Sequence, residues 1–141
     1  NLFFYLFTLK NKVLSNIMKN IKLKYLIVSC VILIIEITIA LFINDQFIRP
    51  IFGDYLASIL VFYFLATFLK TDLNKIAILS LLISYTIEFL QYLHILKLLH
   101  LDKIKILNIL LGNSFSWTDM LVYTLGIMTV VLIHNYKKIT K

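Results

Sequence analysis

Residues 25–43 read YLIVSCVILIIEITIALFI, and residues 76–95 read IAILSLLISYTIEFLQYLHI. Each is close to the run of about 20 apolar residues that lets an α-helix cross the hydrocarbon core. Neither shows the alternating polarity of a membrane β-strand. Each carries one acid in its interior, Glu36 in the first and Glu88 in the second. Two further runs repeat the pattern: residues 52–69, with Asp54 near the start, and residues 117–133 (WTDMLVYTLGIMTVVLI), with Asp119 near the start. A carboxylate at mid-membrane depth costs roughly 2.5–3.5 kcal/mol on insertion scales. A chain that keeps several has a use for them. The expected fold is all-α, an integral membrane four-helix bundle.

Composition agrees with that reading. The chain is 61% hydrophobic and its mean hydropathy is +0.93, whereas soluble domains are nearer half apolar. One proline and three glycines interrupt it. The net charge of +7 comes from lysines that flank the apolar runs. Flanking lysines orient membrane helices, so the charge is topological and no nucleic-acid partner is expected. The lone Cys30 lies within the first run, can form no intramolecular disulfide, and reads as a small packing residue. No metal-ligand spacing, nucleophile elbow, P-loop or dinucleotide motif is present. Neither a metal nor a cofactor is expected, and paired carboxylates without a recognised substrate site name no reaction. Whether the protein is an enzyme stays open.

The lysines also set an orientation. With the N-terminus inside, the inner segments hold Lys10, Lys12, Lys19, Lys22, Lys24, Lys70, Lys75, Lys137, Lys138 and Lys141, and the outer loops hold Arg49, Lys97, Lys103 and Lys105. That asymmetry places both termini in the cytoplasm, as expected of an inner-membrane protein. Residues 1–17 precede Met18 and read as an upstream extension or an interfacial segment. Residues 18–141 form the single four-span domain. The connection over residues 97–116 is leucine- and isoleucine-rich but broken by lysines. It is expected to form a short amphipathic helix in the outer interface, ending near Gly112, with a re-entrant segment as the alternative.

Depth brings the polar residues together. At about 1.5 Å per residue, Glu36 and Glu88 lie in the outer halves of spans entering from inside. Gln91 lies farther out, while Asp54 and Asp119 begin spans entering from outside, below Arg49. Glu88, Gln91, Asp119, Asp54, Arg49 and Glu36 are therefore the candidate ligand-binding cluster. Ser84, Glu88 and Gln91 share one helix face, as do Asp119, Tyr123 and Gly126. Gly126 and Tyr123 are read as packing positions, since small residues mark close helix contacts in membranes. The plainer readings are that protonated acids bond neighbouring helices, and that Asp54 and Asp119 are helix N-caps.

Three motifs carry a family likeness: Phe47-Ile48-Arg49-Pro50 with Gly53-Asp54-Tyr55-Leu56; Ile87-Glu88-Phe89-Leu90-Gln91-Tyr92; and Gly112-Asn113-Ser114-Phe115-Ser116-Trp117-Thr118-Asp119 with Tyr123-Thr124-Leu125-Gly126. Together they resemble a family of small bacterial four-span membrane proteins labelled domain of unknown function 2809, over roughly Lys19 to Asn135. More distantly, Glu-x-x-Gln followed by Asp at the head of the last span and then Gly is similar to the VanZ-like family. That resemblance implies an association with the cell envelope. The VanZ-like pattern has an arginine shortly before the final Asp, and here Lys105 is the nearest basic residue.

The leading functional reading is a membrane protein with a carboxylate-rich pocket toward the extracytoplasmic side. It would bind a lipid headgroup, a lipid-linked envelope precursor or a small polar ligand. The alternatives are a proton- or cation-coupled small transporter, and a structural or assembly partner of another membrane protein. A homo-oligomer is compatible with each.

Overall fold

A computed structural model describes residues 1–111 and 114–140, with the backbone alone for 17–20 and 109–111. Among these residues the chain forms seven helices and no strand: α1 (Leu2–Asn20), α2 (Leu23–Phe42), α3 (Ile48–Phe68), α4 (Leu73–Tyr92), α5 (Ile95–Leu98), α6 (Lys105–Leu111) and α7 (Trp117–Ile139). The helices α2, α3, α4 and α7 are long and apolar enough to cross a membrane. The membrane domain is thus an all-α bundle of four long helices.

The helix ends follow local chemistry. The gap of residues 44–51 between the first two apolar runs shrinks to a short loop, because α3 starts at Ile48 and takes Pro50 into its first turn. Proline is tolerated there, since a first-turn N–H has no intrahelical partner. Asp45 accepts hydrogen bonds from the N–H groups of Phe47 (3.1 Å) and Ile48 (3.3 Å), satisfying two donors at that helix start. Asp54 therefore lies nearly two turns inside α3 and cannot be its N-cap. At the far side, α4 stops at Tyr92 rather than running to Ile95. His94 adopts a left-handed conformation, φ 50° and ψ 42°. His100, φ 55°, divides the connection again. The connection is thus helical in two short pieces, α5 and α6, and Gly112 lies outside the described residues. Leu96 of α5 is buried and anchors this segment over the bundle.

The packing is centred on α3, which contacts α2, α4 and α7; α4 also packs on α7. Helix α2 flanks α3 and buries only Ser29 and Ile32. The apolar core comprises Phe62, Ala66, Ile76, Ala77, Ile127 and Val130, with Ile32 and Ile59 beside it. These residues come from the C-terminal half of α3, the middle and C-terminal half of α7 and the start of α4, so the core fills the half of the bundle that ends in Lys22, Lys24, Lys70, Lys75, Lys137 and Lys138, the lysine-bearing half. Lys22 ties α2 to the end of α3 there, donating from its backbone N–H to the Thr67 carbonyl (3.1 Å) and from Nζ to the Leu69 carbonyl (3.4 Å).

Hydroxyls inside the helices mostly satisfy themselves. Ser29, Ser58, Thr67, Ser80 and Ser84 each donate to a carbonyl three or four residues back. Tyrosines make the links between helices, and all of these links run to α7. Tyr55 donates to Thr129 (2.9 Å), Tyr85 bonds Thr124 (2.6 Å), and Tyr63 meets His134 (3.4 Å).

Candidate functional site

The half of the bundle opposite Lys22, Lys24, Lys70, Lys75, Lys137 and Lys138 is polar. Glu88 sits near the C-terminal end of α4 and is 1% exposed. Burying a carboxylate is costly unless hydrogen bonds meet it, and two do. The Tyr123 hydroxyl of α7 lies 3.0 Å from Glu88 Oε1, and the backbone N–H of Ser116 donates to Oε2 at 3.4 Å. Ser116 is the N-cap residue of α7, so Glu88 holds the entry to the last span as well as its second turn.

The same Tyr123 hydroxyl lies 3.4 Å from Asp54 Oδ1 on α3. One hydroxyl thus bridges carboxylates from two other helices. It has a single hydrogen, so it donates to one of them at a time. The Asp119 carboxyl stands beside that of Asp54. Asp119 occupies the first turn of α7, where the helix dipole favours a negative group.

These groups surround a cavity of about 370 Å³, lined by Asp54, Ser84, Glu88, Gln91, Asp119 and Tyr123 among others. Arg49 and Glu36 belong elsewhere. They line a neighbouring cavity of about 730 Å³ together with Asp45, and Pro50 and Asp54 border both. The sequence grouped six residues by depth; the structure divides them into two adjoining chambers with Asp54 in common. Arg49 is exposed, and Glu36 is half-buried with Oε1 shielded and without a hydrogen-bond partner.

The sequence alone marks Tyr123 as a packing position, and Ser116 enters there only as part of a motif. The signal for Tyr123 was its place one turn beyond Asp119. The Ser116 N–H is a backbone group and carries no sequence signal. Gly126, one turn farther along α7, packs against Tyr55 and Ser58 of α3. This contact brings α7 close enough for Tyr123 to reach Asp54.

Chemically, the first chamber offers carboxylates, an amide and a hydroxyl. Carboxylates pair with cations and accept hydrogen bonds from hydroxyl groups. Among the described residues no group of three or more His, Cys, Asp or Glu side chains is arranged to hold a metal ion.

Beside the polar chamber, Tyr85, Phe89, Tyr92, Phe115, Trp117 and Met120 line an apolar groove of about 500 Å³ between α4 and α7. Tyr92, Phe115 and Trp117 stack edge to face along it. The segment carrying Ser114 to Trp117 separates the two, with Ser114 on the polar side and Phe115 and Trp117 on the aromatic side.

Comparison with known proteins returns one family, described as "Protein of unknown function (DUF2809)", over residues 43–127. The matched stretch contains Arg49, Asp54, Glu88, Gln91, Asp119 and Tyr123, and excludes Glu36. Searches of curated proteins and of solved structures find no match.

Proposed function

We propose that this chain, which belongs to the DUF2809 family, is a bacterial inner-membrane protein that binds the polar headgroup of a lipid or lipid-linked envelope precursor in the chamber around Glu88. The observation that carries the reading is Glu88 itself. It is an acid with 1% exposure, anchored by Tyr123 and Ser116 beside a cavity rather than paired off in the core. An acid retained only to join helices gains little, since interhelical hydrogen bonds in membranes average about 0.6 kcal/mol in one measured set. The ligand contributes ammonium or hydroxyl groups to Glu88, Asp119 and Asp54. The VanZ-like order of Glu88, Gln91, Asp119 and Gly126 supports an envelope setting. In the orientation that the lysines favour, both termini are cytoplasmic and the chamber faces outward.

Transport is less well supported. The lysine-bearing half is closed by Phe62, Ala66, Ile76 and Val130, each at most 2% exposed, and its buried hydroxyls are engaged with their own helices. Among the described residues, the side-chain hydrogen bonds between helices toward that half are two separate pairs, Tyr55 with Thr129 and Tyr63 with His134, with both tyrosines packed against the apolar core.

The test is native mass spectrometry of the protein extracted with its surrounding lipid. Wild-type protein is expected to retain a lipid class with an amine- or hydroxyl-bearing headgroup, and Glu88→Gln and Asp119→Asn to lose it. Asp45→Asn, which alters a helix start outside the chamber, is expected to retain it. An unchanged lipid profile for Glu88→Gln overturns the reading.

A further inference from the structure

Helix α1 is a long helix whose described side chains bury nothing. Every side chain from Leu2 to Asn16 is exposed, including large apolar ones from 47% for Leu9 and Leu14 to 84% for Phe3. Their order is not random. Leu2, Leu6, Leu9 and Val13 form one stripe at helical spacing, and Phe3, Phe7 and Leu14 form the stripe beside it. Thr8, Asn11, Lys12 and Ser15 occupy the opposite side, with Phe4 and Tyr5 of the first turn beside them. Thr8 and Ser15 fold their hydroxyls back onto the helix, toward the carbonyls of Phe4 and Lys12. An apolar face of this size on an isolated helix, interrupted only by Lys10, marks an interaction surface.

We infer that α1 lies in the membrane interface at the lysine-bearing end of the bundle, its apolar face in the acyl boundary and its lysines on anionic phospholipid headgroups. Three observations fix this occupant. First, only Ile21 and Lys22 separate α1 from the spanning helix α2. Lys22 is bonded to the end of α3, so the C-terminal end of α1 is held at the depth where the hydrocarbon begins. Second, the bundle at that end carries Lys22, Lys24, Lys70, Lys75, Lys137 and Lys138, a basic collar complementary to an anionic leaflet. Third, Lys10 falls within the apolar face. Between two packed protein surfaces it would be a buried charge, whereas in the interface its stem lies along the acyl chains and its ammonium reaches the headgroups.

The test uses the full chain in lipid nanodiscs. Trp117→Phe removes the single tryptophan, and Phe7→Trp then reports on α1 alone. In discs containing an anionic phospholipid such as phosphatidylglycerol, the introduced indole is expected to emit at short wavelength and to be quenched by shallowly brominated lipid. Lys10→Gln with Lys12→Gln is expected to lower the ratio of docked to undocked helix in these discs by roughly fivefold per lysine, the equivalent of about 1 kcal/mol each. In purely zwitterionic discs the pair should have little effect. Because α1 lies outside the bundle and Trp117, at the head of α7, is itself exposed, these changes leave the packed core untouched. A water-exposed emission in both lipids overturns the inference. So does quenching that appears only when two copies share a disc, which would assign the face to a second chain.

Discussion

Gly126 on α7 lies so close to Ser58 on α3 that a single methyl group cannot fit between them. A Cβ at Gly126 would collide with the Ser58 hydroxyl and come within 2.8 Å of the Tyr55 carbonyl oxygen. The serine could rotate, but the carbonyl belongs to the α3 backbone and cannot. Gly126→Ala is therefore expected to push α3 and α7 apart and to destabilise the bundle by about 1–3 kcal/mol, the usual cost of overpacking. Gly53→Ala is the matched control, because a Cβ there meets nothing within 4 Å. It should be neutral or slightly stabilising, as alanine is the better helix former by up to about 1 kcal/mol. Denaturant unfolding of both variants in mild detergent checks the contrast.

The same approach sets the position of Tyr123. Tyr123→Phe keeps the ring and removes the hydroxyl shared by Glu88 and Asp54, leaving the buried Glu88 Oε1 without that donor. The expected cost is about 1–3 kcal/mol, the penalty for an unsatisfied buried polar group. Tyr55→Phe also deletes an interhelical hydroxyl, but its partner Thr129 already donates to the Leu125 carbonyl. Its cost should stay near 0.5–1.5 kcal/mol, the ordinary net worth of a hydrogen bond. Unfolding measurements that rank Tyr55→Phe as the more damaging change would contradict the assigned geometry.

These residues mark where sequence reading succeeds and where it stops. The spans around Glu36 and Glu88 are legible because bilayer thickness imposes a length on any apolar run that crosses it. The shared depth of Asp54, Glu88 and Asp119 follows from the same length rule. Depth, however, is one coordinate. Which residues face the same chamber depends on helix order and rotation, and these are set by contacts such as Gly126 against α3. Glu36 shares the depth of Glu88 and Arg49 lies just above it, but both line the second chamber, on the α2 side of Asp54. Pro50 misleads for a local reason. Proline reads as a break, yet in a first turn it costs no hydrogen bond, so α3 begins before it and Asp54 becomes an interior residue.

The two chambers predict unequal effects on ligand retention. Glu88→Gln and Asp54→Asn each remove a carboxylate bordering the polar chamber, and a hydrogen bond to a charged group is worth about 1.5–3 kcal/mol. Each is expected to weaken headgroup retention by roughly ten- to hundredfold, since 1.4 kcal/mol is about tenfold. Arg49→Gln and Glu36→Gln touch only the neighbouring chamber and should change retention of the same headgroup by less than about threefold, under 1 kcal/mol. Lipid titration followed by native mass spectrometry measures all four. Equal losses at Arg49 and Glu88 would show that one ligand fills both chambers.

Orientation is the last expectation, and it decides which side the chamber serves. Lys103, in the connection between α5 and α6, and Lys138, near the end of α7, are both exposed and lie at opposite ends of the bundle. The lysine-bearing end should face the cytoplasm, because basic flanks are retained on that side. Single cysteines placed by Lys103→Cys and Lys138→Cys, each in a Cys30→Ser background, report this directly. An impermeant maleimide should label the first in intact cells and the second only after permeabilisation. The reverse pattern would turn the basic collar outward and open the Glu88 chamber to the cytoplasmic leaflet. An extracytoplasmic precursor could then not be the ligand, and the headgroup would have to come from the inner leaflet.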